Sequence, residues 1–264
     1  LHHDYSALKS TKLYPNDFQI SDYNIDDFCI NKRYELFSKF RIKFSRKILR
    51  KLLNSCTKQY AQTNFQSNFL EYHGFRIAGI IPQTLESRSD IKSKIGLKRS
   101  SDFFQILFAG RVIGKGFEKL VEFINLNNEF KLVLAGSEEL HQEAMKKLPL
   151  HSFNYLGLLN QEDLRQVIKE VDLVFACSKC FDVGPRIALE ALYMGTPAIC
   201  SSVVGHADWL MKLDKRLLVE YDKPLEAGKL VEIIANTNVI VDKFNKTFDF
   251  ESKWTQLVHS YMKN

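Results

Sequence analysis

From Phe104 onward the sequence alternates short, wholly apolar runs with amphipathic stretches, and few folds can use that rhythm. The runs fall at 104–109 (FQILFA), 130–135 (FKLVLA), 153–156 (FNYL), 172–176 (DLVFA), 198–201 (AICS) and 217–220 (LLVE). Helical spacing separates them. Residues 116–126 place Phe117, Leu120, Val121 and Ile124 on one face, and 161–171 do the same with Leu164, Val167, Ile168 and Val171. Asn160 stands as N-cap of the second helix, with Asp163 three residues on. Further helices are predicted over 138–148, 186–193, 206–213 and 225–235. Strands that are apolar throughout and separated by single helices predict an α/β fold, a Rossmann-like parallel sheet with helices on both faces. In such sheets ligands bind at the carboxyl ends of the strands, in the loops that lead into helices.

Residues 1 to about 100 have a different texture, polar, basic and irregular. One helical pattern stands out there, over 32–53. Phe37, Phe40, Phe44, Ile48 and Leu52 share a face, and Arg41, Lys43, Arg46, Lys47, Arg50 and Lys51 take the others. Such a helix either packs its apolar stripe on a core with its cations solvated, or lies on an anionic membrane, where each basic residue adds ~1 kcal/mol. No run approaches the ~20 apolar residues of a membrane span. Overall, 37 Lys and Arg stand against 31 Asp and Glu, a net charge of +6. That mild excess suits any anionic partner, but no aromatic-interleaved basic motif points to nucleic acid. Five scattered cysteines (Cys29, Cys56, Cys177, Cys180 and Cys200) favour a reducing, cytoplasmic compartment. Cys177 and Cys180 have C-x-x-C spacing without a second pair, which reads better as buried or loop thiols than as a zinc or redox site.

Two loops carry the chemistry. The first predicted strand runs into Gly110-Arg111-Val112-Ile113-Gly114-Lys115-Gly116 and then a helix. Glycines let the backbone approach an anion, the helix start offers free N–H groups, and Arg111 and Lys115 add positive charge, a cradle suited to a diphosphate. The strand over 172–176 leads to Asp182, Gly184, Pro185, Arg186, Ile187 and Glu190. Asp182 in the loop and Glu190 about one turn into the next helix are placed to accept hydrogen bonds from sugar hydroxyls. In a purely structural role, Asp182 caps the helix and Glu190 pairs with a surface lysine.

The order AGR…KG, LAG, FNYLG, DLVFACS, FDVGPRIALEAL and GTPAICS…GHADWL resembles the carboxy-terminal domain of the retaining, GT-B-fold group 1 glycosyl transferases, from about residue 104 to the end. By that resemblance Arg111 and Lys115 hold the donor diphosphate and stabilise it as leaving group. Asp182 contacts the transferred sugar and Glu190 the nucleotide ribose. Gly110 and Gly116 belong to the cradle, Gly184, Pro185, Arg186 and Ile187 meet sugar and phosphates, and Gly157 lies near the base. His3, with His2 as the other choice, resembles the histidine that reaches the donor sugar from the partner domain. Residues 61–69 and 80–82 resemble the last helix and strand before the interdomain linker. The implied organisation is a partial amino-terminal, acceptor-side domain over 1–98, a nucleotide-sugar-binding domain over 99–248, and a terminal helix over 249–264 that crosses back. The resemblance also implies an amino end shortened relative to the family.

Three positions depart from the family pattern. Arg111 and Lys115 are four apart where five is common, Asp182 stands for a Glu one methylene longer, and Pro185 brings no N–H. The implied reaction moves a sugar from a nucleotide-diphosphate donor to a glycan or lipid-linked acceptor, such as a surface polysaccharide, with retention. With no D-x-D triad, neither a divalent metal nor another cofactor is expected. The competing reading is a non-catalytic module that binds nucleotide sugar, a membrane or a partner. A dinucleotide oxidoreductase is disfavoured because no G-x-G-x-x-G follows a strand. The expected place is the cytoplasm, at the inner face of the membrane if the basic helix binds lipid.

Overall fold

The computed structural model describes residues 48, 51–55, 58–72, 74–81, 102–112, 114–178, 184–202, 204–220 and 222–247. His3, most of the basic 32–53 stretch, Asp182 and the terminal helix expected over 249–264 lie outside them.

Ahead of the main sheet, β1 (Tyr60–Ala61), α1 (Asn64–Tyr72) and β2 (Gly79–Ile80) form a small parallel β-α-β unit. The start of α1 follows from Thr63 and Gln66. The Thr63 hydroxyl accepts from the Gln66 N–H at 3.1 Å, and the Gln66 side chain accepts from the Gln62 N–H at 2.6 Å. This is a close variant of a capping box, in which two helix-start donors are satisfied reciprocally. Residues 51–55 are helical, as the periodicity predicts.

The main sheet has six strands: β3 (Phe104–Ala109), β4 (Phe130–Ala135), β5 (Phe153–Tyr155), β6 (Leu173–Ala176), β7 (Ala198–Ser201) and β8 (Leu218–Val219). Their spatial order is β5-β4-β3-β6-β7-β8, with every pairing parallel. The chain starts in the middle, walks outward to β5, returns to β6 beside β3, and walks outward again. The helices α2 (Phe117–Leu126), α3 (Glu138–Lys147), α4 (Gln161–Glu170), α5 (Arg186–Tyr193), α6 (Ala207–Leu213), α7 (Ala227–Ala235) and α8 (Thr237–Thr247) accompany these strands. Right-handed crossovers place the helices of the two walks on opposite faces.

Burial on both faces explains why the strands carry no polar alternation. Phe108 packs its ring against Phe117 at 5.3 Å and Phe175 at 6.3 Å, while Phe130 meets Phe104 and Phe123. Phe108, Phe117 and Phe130 are each within 1% of complete burial, so truncating any of them leaves a cavity that costs about 3–5 kcal/mol.

Polar groups decide where several elements begin and end. The Asn160 side chain caps α4 by accepting from the Asp163 N–H at 2.9 Å. β6 begins at Leu173 rather than Asp172 because the Asp172 carboxylate takes the Gln105 N–H at 2.8 Å in place of a ladder partner. α5 ends at a left-handed Gly195, φ +89°. There the Gly195 N–H reaches Leu192 O and the Thr196 N–H reaches Ala191 O, a Schellman closure. β8 is shorter than the predicted 217–220 because Asp214 caps a 3-10 turn over Lys215–Leu217. One helix escaped the sequence reading: α8 buries Ile240 and Phe244 and packs on α5 and α6, with Trp209 6.2 Å from Phe244.

The Asp214 turn yields a pH prediction. Arg216 donates from its backbone N–H, Nε and Nη2 to the Asp214 carboxylate, the last at 2.6 Å, and these bonds hold the carboxyl below its ordinary value. A folded-state pKa below the unfolded one contributes stability that is present above about pH 4 and is lost as pH falls through the lowered value. Thermal melts of Asp214→Asn below about pH 4 should therefore fall less steeply with acid than those of the wild type. Equal slopes would refute that assignment.

Candidate functional site

The order of the strands reverses between β3 and β6, and in open parallel sheets a ligand crevice forms outside the carboxyl ends at such a switch point. The two loops singled out in the sequence leave these two strands. From β3 the chain passes Gly110 (φ +144°), exposed Arg111, Gly114 (φ +77°), half-buried Lys115 and Gly116 (φ +78°), and then enters α2. Gly116 is the N-cap of α2 and makes no side-chain cap, so the first N–H groups and the helix dipole remain available to an anion.

Close approach of backbones fixes the cradle. A Cβ on Gly116 would collide with the Cys177 carbonyl oxygen at the end of β6. One on Gly136, after β4, would lie 2.5 Å from Gly110 O. The Gly136 N–H reaches Gly157 O at 2.9 Å, and the Tyr155 hydroxyl donates to Gly136 O at 3.0 Å. Among the described residues no heavy atom lies within 4 Å of a would-be Cβ on Gly157 (φ +75°), which leaves that corner open. On the β6 side of the switch point, the Ser201 hydroxyl donates to Ser178 O at 2.7 Å, tying the end of β7 to that of β6.

Lys119, which sequence reasoning passed over, is 7% exposed on α2. Its ammonium donates to Glu220 O at 3.0 Å and also to Lys223 O, strapping the loop after β8 to the cradle helix. Burial lowers its pKa from the ordinary lysine value. Burial also pushes the Cys177 thiol well up, which keeps it protonated and inert. Among the described residues no group of His, Cys, Asp and Glu could hold a metal ion, and no helix is long and apolar enough to cross a membrane.

On the β6 side Gly184 and Pro185 are buried, and Pro185 (φ −63°) caps α5, since its fixed φ suits a helix start and it needs no N–H partner. Ile187 is half-buried. Glu190 does not pair with a surface lysine. Its buried carboxylate accepts from Arg186 Nε at 2.9 Å, four residues earlier, while the Arg186 side chain remains 49% exposed. α4 adds two groups that the sequence did not flag, Gln161 and Arg165. The Gln161 amide stands 3.3 Å from Glu190 Oε1. Turned with its oxygen toward the guanidinium groups, it accepts from Arg165 Nη2 at 3.0 Å and Arg186 Nη2 at 3.2 Å. Two cations against one carboxylate favour that orientation. The remaining surprise is His206, buried beside Gly184.

Arg111 and Lys115 thus share the β3–α2 loop, and Arg186, Ile187 and Glu190 share the first turns of α5, the helix that follows β6. His3 and Asp182 fall outside the described residues.

Comparison with known proteins bears on the family and the fold. The sequence profile described as "Glycosyl transferases group 1" matches residues 90–244. An uncharacterised glycosyltransferase of Methanocaldococcus jannaschii is 33% identical over 139 residues, covering 48% of this chain and 35% of the relative. The chain therefore matches about a third of that relative's length. Sucrose-phosphate synthase from Thermosynechococcus elongatus has a similar fold, with a TM-score of 0.64 at 17% identity over 89% of this chain and 63% of that one. Anabaena HepE, solved with UDP and glucose, gives a TM-score of 0.63 at 19% identity over 84% of this chain and 68% of that one.

Proposed function

The chain belongs to the group 1 glycosyl transferases, and from that premise we propose that it grips a nucleoside diphosphate sugar at the β3–β6 switch point and transfers the sugar to an acceptor. The observation that carries this reading is that two candidate segments, one with Arg111 and Lys115 and one with Arg186 and Glu190, follow the two strands where the sheet order reverses. Breaking the bond from the anomeric carbon to the diphosphate builds negative charge on the departing β-phosphate. Arg111, Lys115 and the N-terminus of α2 are set to stabilise that charge more than the ground state, so that binding becomes catalysis. Glu190 takes the ribose hydroxyls and Gly157 opens a corner for the base. Asp182 holds the transferred sugar and His3 approaches it from the amino-terminal domain. Backbone and cationic groups supply the electrostatics, so the reaction needs no metal, and the sugar keeps its anomeric configuration.

The UDP in the HepE structure directs the first test to uridine nucleotides. A glycan or lipid-linked acceptor fits the basic 32–53 segment. Ile48 and Leu52 of its apolar stripe are 44% and 60% exposed, which supports contact with the cytoplasmic membrane surface. The division into a partial domain over 1–98, a donor domain over 99–248 and a terminal helix over 249–264 belongs to the same proposal.

Thermal shift with UDP, ADP, GDP and their sugars tests the reading, because a ligand at about 100 times its Kd stabilises by about 2.7 kcal/mol. At least one nucleoside diphosphate should raise Tm. If none does at millimolar concentration, the donor-site reading is wrong. Binding of a nucleotide sugar without release of nucleoside diphosphate in the presence of acceptor glycans would identify a non-catalytic binding module instead.

A further inference from the structure

We propose that His206 is a positioning residue for the donor site, its imidazole setting where the first turn of α5 sits and thereby where Glu190 and Arg186 meet the nucleotide. The inference rests on the donor-site reading above and adds to it a residue from a different loop, after β7.

The steric fit is close. A Cβ built on Gly184 would overlap three atoms of the His206 ring, Nε2, Cδ2 and Cε1, the farthest of them 2.7 Å away. The imidazole therefore fills the space that any side chain at position 184 needs. His206 is 2% exposed and has little freedom to retreat. It caps α6, its carbonyl accepts from the Leu210 N–H at 3.0 Å, and the Trp209 ring lies 4.9 Å from its own. Trp209 is backed in turn by Phe244 of α8. The ring is a rigid spacer between α6 and the turn at Gly184.

What the spacer holds is functional on the proposed reading. Pro185 follows Gly184 and fixes the entry to α5. Arg186 begins that helix, and its Nε is 2.9 Å from Glu190 Oε1. A rigid helix transmits a shift of its first residue to both side chains. The cradle at Arg111, Lys115 and Gly116 is built on β3 and α2, and does not pass through this spacer. His206 thus acts more on the ribose side of the nucleotide than on the diphosphate side, and this separates its role from general support of the fold.

Isothermal titration of the full chain with UDP and with inorganic pyrophosphate tests this. Gly184→Ala should push the turn off the ring and weaken UDP by about tenfold or more, with pyrophosphate weakened clearly less. His206→Ala removes the spacer and should weaken UDP several-fold, again more than pyrophosphate. His206→Phe keeps a flat ring of similar thickness and should stay within about threefold of wild type. In the double variant Gly184→Ala/His206→Ala the methyl takes part of the vacated space, so the two losses should be clearly less than additive. The proposal is overturned if His206→Phe is as weak as His206→Ala, if UDP and pyrophosphate weaken in parallel, or if the losses add. If the wild type binds neither UDP nor any other nucleoside diphosphate, the donor-site reading itself fails and this inference falls with it.

Discussion

Gly116→Ala is expected to weaken nucleoside diphosphate binding on the order of a hundredfold, while Gly195→Ala, at an equally left-handed position, should leave it intact. Gly116 has φ +78° and Gly195 φ +89°, so each substitution costs about 1–2 kcal/mol for placing a Cβ in left-handed backbone. Their surroundings differ. Among the described residues nothing lies within 4 Å of a Cβ at 195, whereas one at 116 strikes the Cys177 carbonyl oxygen. That obstacle is main chain at the end of β6 and cannot rotate away. Overpacking of this kind adds about 1–3 kcal/mol, and its relief must pull the start of α2 away from the end of β6. On the proposed reading those two segments hold the diphosphate between them, so misplacement of about 1 Å weakens binding on the order of a hundredfold. Urea denaturation measures the stability loss of both variants and titration with UDP measures the rest. Retained affinity in Gly116→Ala would show that the diphosphate does not sit at this helix start.

The second large effect is expected at Glu190. Removing a charged hydrogen-bond partner costs about 1.5–3 kcal/mol, so Glu190→Ala should weaken UDP by about 10–150-fold. Its effect on folding should be small by comparison. The carboxylate is buried, but the Arg186 guanidinium paired with it is half exposed and keeps access to water when the partner is lost. Inorganic pyrophosphate, which has no ribose, should bind the variant as it binds wild type. A collapse in Tm with pyrophosphate binding also lost would mark Glu190 as a structural residue of the α4–α5 contact.

Much of the main sheet and its helices was legible because their determinants are local. Strands 104–109, 130–135 and 198–201 and the helix over 186–193 stand where the apolar runs and helical spacing put them. The Asn160 cap formed as its spacing to Asp163 requires. These features depend on neighbours within about a turn, which sequence periodicity reports directly. α8 was missed because only Ile240 and Phe244, one turn apart, are buried on it, in a run rich in β-branched residues of low helix propensity. Tertiary packing on α5 and α6, with Lys243 donating to Leu213 O at 2.9 Å, supplies what propensity does not.

The site divides along the same line. Glycines, an Arg-Lys pair and an acid one turn into a helix are local signals, and the sequence alone determined which loops carry them and which family they resemble. Only the tertiary structure decided their partners. Lys119 straps a loop 101 residues away, Gln161 brings Arg165 and Arg186 together from another helix, and His206 fills the space beside Gly184. No periodicity encodes such meetings, because they depend on the order in which parallel strands align and on the side-chain volume left between the loops at their ends.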